Sequence, residues 1–219
     1  WGGDAAALQR CLADIAQADL VIATMLFMED HFLPVLPALQ ARREHCDAMV
    51  CAMSASEVMN LTRMGKFSMD APASGPMALL KRLRGKPEAK GNESGVKATA
   101  GAQQMKMLRR LPKLLRFIPG TAQDVRAYFL TLQYWLAGSE ANVANMVQFL
   151  VDRYADGPRK PLRGLAKPQP PVEYPEVGVY HPRMTGRMSS LPAKRPRVAT
   201  SSRRGTVGLL LMRSYLLAG

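Results

Sequence analysis

At 219 residues with 47% hydrophobic side chains, the chain can bury a sizeable core, which excludes disorder throughout. Its net charge of +13 is unevenly placed: residues 81–120 and 158–204 each hold 11 Lys/Arg against 2 acids, so +9 apiece, leaving −5 for the remainder. The basic residues thus fall mainly in Gly-, Pro- and Ser-rich segments that read as linkers and surface loops, which argues against a nucleic-acid-binding module built on the patterned elements.

Asp4 is placed to cap a first helix, whose apolar positions Leu8, Cys11, Leu12 and Ile15 recur at helical spacing up to Ala18. The period then changes. Asp19 to Met28, "DLVIATMLFM", is a continuous apolar run with β-branched residues, the pattern of a strand buried on both faces. "EDHFLPVLPALQARREHC" predicts a helix broken near Pro34 and Pro37, because proline removes an amide donor and clashes with the preceding turn. A second buried strand is predicted over Asp47 to Met53, followed by a helix in "SASEVMNLTRMG", with Ser54 and Glu57 at capping-box spacing and Gly65 as its stop. Helix, strand, helix, strand, helix in that order implies an α/β fold with a parallel, Rossmann-like sheet and right-handed crossovers.

The pattern weakens from Phe67 to Gly101, and "RGKPEAKGNESGVKATAG" reads as a flexible basic linker. Helical spacing resumes through Leu108, Leu111, Leu115 and Ile118, with a break expected around Pro112. Thr121 and Asp124 open a helix with the stripe Val125, Tyr128, Phe129, Leu132, Trp135 and Leu136, closed by Gly138. Ser139 opens the next, with the stripe Val143, Met146, Val147, Leu150, Val151 and Tyr154 up to Gly157-Pro158. So short a connection makes an antiparallel helical hairpin, and Trp135 is expected to be mostly buried in it. "KPQPPVEYPEVGVYHPRM" is too proline-rich for regular structure, a basic Ser/Pro stretch follows, and Thr206 to Leu211 resembles another buried strand. The expected division is an α/β unit over 1–83, a linker over 84–101, a helical segment over 102–157, a Pro-rich and basic loop region over 158–204, and the start of a further α/β unit over 205–219. The Trp1 start and the apolar end read as those of an internal fragment, so the missing targeting signal carries little weight.

Little in the sequence can do chemistry. Cys11, Cys46 and Cys51 are odd in number and lack CxxC spacing, which argues against a disulfide framework or zinc site and fits a reducing cytoplasm or plastid stroma. His31, His45, Cys46 and Cys51 form the nearest approach to a ligand cluster, but at no usual metal spacing. Glu29-Asp30-His31 follows a strand's carboxyl end, where open α/β sheets bind ligands, although two acids there also simply stabilise the next helix. Met25, Met28, Met49 and Met53 line the predicted strands as adaptable core filling or, alternatively, as a soft surface for a flat hydrophobic ligand. "AKRPRVATSSRR", from Ala193 to Arg204, has the composition of a nucleic-acid patch but no interleaved aromatics, so a solvated loop is expected. Neither GxxxxGK[ST] nor GxGxxG occurs, and the longest apolar runs are about half of the roughly 20 residues a membrane helix needs. No catalytic and no metal-binding residue is assigned.

Several long blocks are similar, in the same order, to the N-terminal region of the large, porphyrin-binding H subunit of magnesium chelatase. They are "MLFMEDHFLPVLPALQARREHCDAMVCAMSASEVMNLTRMGKFSM", "GAQQMKMLRRLPKLLRFIPGTAQDVRAYFLTLQYWLAGS", "VEYPEVGVYHP" and "GTVGLLLMRSYLLAG". "MLFMEDHF" and "CDAMVCAMSA" look most like purple-bacterial versions, which serve bacteriochlorophyll synthesis. The resemblance implies ATP-dependent insertion of Mg²⁺ into protoporphyrin IX, with the porphyrin held by this subunit and ATP hydrolysed by two smaller AAA+ type subunits. It maps no catalytic or porphyrin-contacting residue onto this chain, and the loop "PAKRPRVATSSRR" is more basic than the family leads one to expect. The large subunit of aerobic cobalt chelatase resembles the chain more loosely.

Overall fold

The computed structural model describes residues 3–71, 110–175, 178–181 and 188–190. The linker expected over 84–101, the basic stretch from Ala193 to Arg204 and the strand expected from Thr206 all lie outside the described residues.

The predicted alternation forms an α/β fold. Helix α1 (Ala5–Gln17) is capped by Asp4, whose carboxylate accepts the Ala7 amide at 2.9 Å. Strands β1 (Leu20–Thr24) and β2 (Ala48–Ala52) pair in parallel, Leu20 opposite Ala48 through to Thr24 opposite Ala52. Between them the chain forms α2 (Glu29–Phe32) and α3 (Leu36–Arg42), separated where the two prolines were expected to break the helix, with Pro37 in the first turn of α3. After β2 come the short α4 (Ser56–Met59) and an antiparallel hairpin, β3 (Arg63–Met64) and β4 (Phe67–Ser68). The strand order is β1-β2-β3-β4, so the sheet is mixed rather than wholly parallel. Helices α5 (Thr121–Ala137) and α6 (Glu140–Tyr154) form the antiparallel hairpin, joined through Gly138 in the left-handed conformation and Ser139, which accepts the Asn142 amide. Val179–Tyr180 and Met188–Ser189 pair as a two-residue ladder, β5 and β6, in the otherwise irregular proline-rich stretch.

All five residues of β2 are buried, and alternate ones serve different cores. Met49 and Cys51 join Val21 and Ala23 of β1, Phe32, Val35, Leu39 and Val58, with Leu8, Cys11, Leu12 and Ile15 of α1 packed against them. Ala48, Val50 and Ala52 face the other way and meet Met64, Phe67, Val125, Tyr128, Leu132, Met146 and Leu150. The sheet is therefore the middle of three layers, with α1 and α3 on one face and the helical hairpin on the other. Tyr128 reaches through its layer to donate a 3.4 Å hydrogen bond to the Cys51 carbonyl, and burial holds its phenol at about 12.

Several local expectations need correction. The first strand ends at Thr24, because Met25 turns to a positive φ. Ser54 does not cap α4: its hydroxyl accepts the Leu26 amide and donates to Ala52, and Ala55 takes the N-cap position. Gly65 does not stop a helix; it makes the β3–β4 turn at φ +57. The helix does open at Thr121, but Thr121 and Asp124 make no capping pair there. Gly120 is the N-cap, and the Asp124 carboxylate accepts the Lys66 amide and the Tyr154 hydroxyl, both at 3.0 Å, joining the hairpin to the β3–β4 turn. Helix continues through Pro112 over residues 110–114 and tightens to 3₁₀ only at Leu115–Phe117. On α6 the buried stripe is Met146, Leu150 and Tyr154, while Val143 and Val147 are exposed. Trp135 is half-buried; it is Tyr134 that is enclosed, its hydroxyl donating to the Gln169 carbonyl at 2.5 Å.

Candidate functional site

The carboxyl ends of β1 and β2 carry the most unusual backbone of the described residues. Each strand is followed at once by a methionine in the left-handed region, Met25 at φ 63 and Met53 at φ 48. For a side chain with a Cβ this conformation costs roughly 1–2 kcal/mol, so the surroundings must hold it. They do so by stitching the two loops together. The Met25 amide donates to the Met53 carbonyl at 3.0 Å, the Leu26 amide to Ser54 Oγ at 3.1 Å, and the Ala55 amide to the Leu26 carbonyl at 2.8 Å. Met25 and Met28 are 53% and 60% exposed, and Phe27, Leu33 and Met53 are exposed as well. Next to this apolar rim, Glu29 and Asp30 occupy the first turn of α2, with His31 Nε2 3.9 Å from Asp30 Oδ2.

The methionines predicted to line the strands therefore divide. Met49 is wholly buried and fills the core, whereas Met25, Met28 and Met53 form a polarisable surface. Their run in the sequence looks continuous with the strands, and only the positive φ angles separate the two groups. Glu29, Asp30 and His31 do stand at the carboxyl edge, the two acids exposed and His31 half-buried.

The opposite, amino edge is closed by charge. Asp47, just before β2, is bound bidentately by Arg159, Nε at 2.8 Å and the terminal nitrogen at 2.9 Å, and also accepts the Asp156 amide at 3.0 Å. Arg159 contacts Asp19 at 3.0 Å, and Arg42 lies 3.7 Å from the same carboxylate. Only 7% of the Asp47 side chain is exposed, and the hydrogen bonds from Arg159 hold its carboxyl below the ordinary range despite the burial. Arg159 belongs to the basic segment read as a surface loop; nothing in its local sequence signals a partner more than a hundred residues away.

The candidate metal ligands are not brought together. His31 lies beyond the carboxyl end of β1, whereas His45 and Cys46 precede the amino end of β2, a strand length of roughly 16 Å away. Cys46 and Cys51 are buried, and burial pushes both thiols up, that of Cys51 to about 12. Among the described residues no group of three or more His, Cys, Asp or Glu is placed to hold a metal ion, and no helix is long and apolar enough to cross a membrane. What the arrangement offers chemically is a bare, soft apolar rim at one sheet edge and an interlocked set of ion pairs at the other.

Comparison with known families decides the relationship. Residues 1–129 match the family described as a domain of unknown function, DUF3479. The chain belongs to the DUF3479 family. Residues 132–219 match the family described as CobN/Magnesium Chelatase. Over 218 residues, 100% of this chain, it is 47% identical to the magnesium-chelatase H subunit of Rhodobacter capsulatus and 48% identical to that of Cereibacter sphaeroides. The chloroplastic magnesium-chelatase ChlH subunit of Oryza sativa is 31% identical over 172 residues, 78% of this chain. The DUF3479 chain is thus homologous to part of the magnesium-chelatase H subunit, most evidently of the purple-bacterial type. It spans 17% of the length of the two bacterial relatives and 12% of the rice one.

Proposed function

We propose that the chain is part of the H subunit of a magnesium chelatase, which holds protoporphyrin IX while two ATPase subunits drive Mg²⁺ into it for (bacterio)chlorophyll synthesis. The observation that carries this reading is identity of 47–48% sustained along the whole chain, since a shared fold alone would not preserve loops and core together. Mg²⁺ and the porphyrin are substrates, and ATP is consumed by the partners. The reaction needs that help, because Mg²⁺ gives up its waters reluctantly and two pyrrole protons must leave the ring. Within the subunit the described residues act as a scaffold, and the rim of Met25, Phe27, Met28 and Met53 is the surface that meets the flat, apolar face of the macrocycle. Thioether side chains suit such a face, being polarisable and conformationally adaptable.

The test is magnesium-porphyrin fluorescence with Mg²⁺, ATP and both ATPase subunits, comparing the complete subunit, the 219 residues alone and the complete subunit lacking Thr121 to Gly157. Product is expected from the complete subunit only. Turnover by the 219 residues alone would place the reacting groups here. A hairpin deletion that folds and binds porphyrin yet makes no product would give the hairpin a direct role. Replacing Mg²⁺ by Co²⁺ and the substrate by a cobalamin-pathway macrocycle distinguishes a cobalt chelatase.

A further inference from the structure

We propose that the α5–α6 hairpin carries a binding site for an extended, proline-rich peptide, and that the chain's own residues 168–172 occupy it as a detachable ligand. Three side chains of the hairpin grip this segment, and all three grip main chain. Asn142 Nδ2 donates to the Val172 carbonyl at 3.0 Å, while Asn142 Oδ1 accepts the Val172 amide at 2.9 Å. Asn145 Oδ1 accepts the Gln169 amide at 2.7 Å, and the Tyr134 hydroxyl donates to the Gln169 carbonyl at 2.5 Å. Both polar main-chain groups of Gln169 and of Val172 are thus held, and the segment runs antiparallel to α6.

The sequence of the segment matches this grip. In Pro168-Gln169-Pro170-Pro171-Val172 only Gln169 and Val172 have an amide hydrogen to give, and those are the two that the asparagines take. Lys167, Gln169 and Pro170 each precede a proline, which confines them to β or polyproline II geometry. At three residues per turn, Gln169 and Val172 then face the same way, and so do Pro168 and Pro171, which are half-buried. Gln169, Pro170 and Val172 are exposed.

The site suits such a ligand better than an apolar cover. Asn142 is 1% exposed, and hydrocarbon laid over its amide would leave a buried donor and acceptor unpaired. Its position is fixed by the Ser139 hydroxyl, which accepts the Asn142 amide at 3.2 Å. Asn145 is aimed by a 2.7 Å hydrogen bond from its Nδ2 to the Ala141 carbonyl, which leaves Oδ1 for the ligand. Tyr134 also packs against Phe149, ring centroids 6.0 Å apart, and proline-rich segments dock in aromatic-lined grooves. Recognition through main chain does not demand this one sequence, and a segment held by hydrogen bonds more than by buried side chains detaches at small cost. The groove therefore accepts a proline-rich segment of a partner protein in exchange for residues 168–172.

The test uses the complete subunit and reads no chelatase activity, so it can fail independently of that reading. The probe is the synthetic octapeptide KPQPPVEY, whose sequence is that of residues 167–174, labelled for fluorescence anisotropy. It is titrated into the parent and into a variant with residues 168–172 all replaced by glycine, whose floppier segment competes less well for the groove. We expect the variant to bind the peptide at least about tenfold more tightly than the parent does, and N-methylation of the peptide's valine amide to weaken that binding about tenfold or more. Amide hydrogen exchange gives a reading that needs no variant. Peptide at about millimolar concentration should speed exchange of the parent's Gln169 and Val172 amides roughly tenfold, by displacing the segment. Equal affinity for parent and variant, equal binding of the methylated peptide, or unchanged exchange at the two amides would each overturn the inference.

Discussion

The two ends of the parallel strand pair contrast more than any other regions of the molecule. At the amino edge, Asp19, Arg42, Asp47 and Arg159 close the sheet with the chain's own charges. At the carboxyl edge, Met25 and Met53 hold a costly backbone conformation and leave their side chains in water. A fold gains nothing by itself from exposing apolar groups on strained backbone, and it is this second edge that the proposed function turns toward the macrocycle. The first is shaped by stability.

The methionines give the largest test of that contrast. Met49→Ala, which empties a fully enclosed site, is expected to lower stability by about 2–5 kcal/mol in denaturant titration, while Met28→Ala should stay within about 0.5 kcal/mol. Equal effects would mean that the rim is packed like a core. Next in size is Gly65→Ala. Gly65 shares the left-handed conformation of Met25, but a Cβ there would lie 2.8 Å from Asp124 Oδ2, and a loss of about 1–3 kcal/mol is expected. No loss would show that the β3–β4 turn yields easily and that the Asp124 tie is weak.

These tests also show how much could be read from sequence. The alternation of helices and strands, the break at Pro34 and Pro37, the Asp4 and Ser139 caps and the Gly138 reversal all follow from short-range rules, and the structure keeps them. What escaped detection depends on distant partners. Asp124 sits at a capping position yet serves the Lys66 amide, Ser54 matches a capping box yet joins two loops, and Arg159 sits in a basic loop yet neutralises Asp47. The strand pattern likewise ran on through Met28, because hydropathy cannot register a change in the sign of φ at Met25.

The amino edge is expected to reveal itself through pH. Because the folded Asp47 carboxyl lies below its unfolded value of about 3.9, its stabilisation is fully present above that value and is lost as pH falls through the lower folded one. Asp47→Asn should therefore lower the thermal midpoint at pH 6 and flatten its fall between about pH 4 and pH 2. An unchanged acid limb would show that the interlock contributes nothing. The one stability gain belongs to Met25→Gly, which is expected to raise stability by roughly 1 kcal/mol by relieving the left-handed strain.

That stabilised variant permits the most direct test of the rim. In the complete subunit, porphyrin fluorescence titration of Met25→Gly combined with Met53→Gly should show protoporphyrin affinity lowered by about tenfold or more, with a thermal midpoint at or above that of the parent. Unchanged affinity in so stable a variant would contradict a macrocycle-facing rim and return Met25 and Met53 to contacts with the rest of the polypeptide.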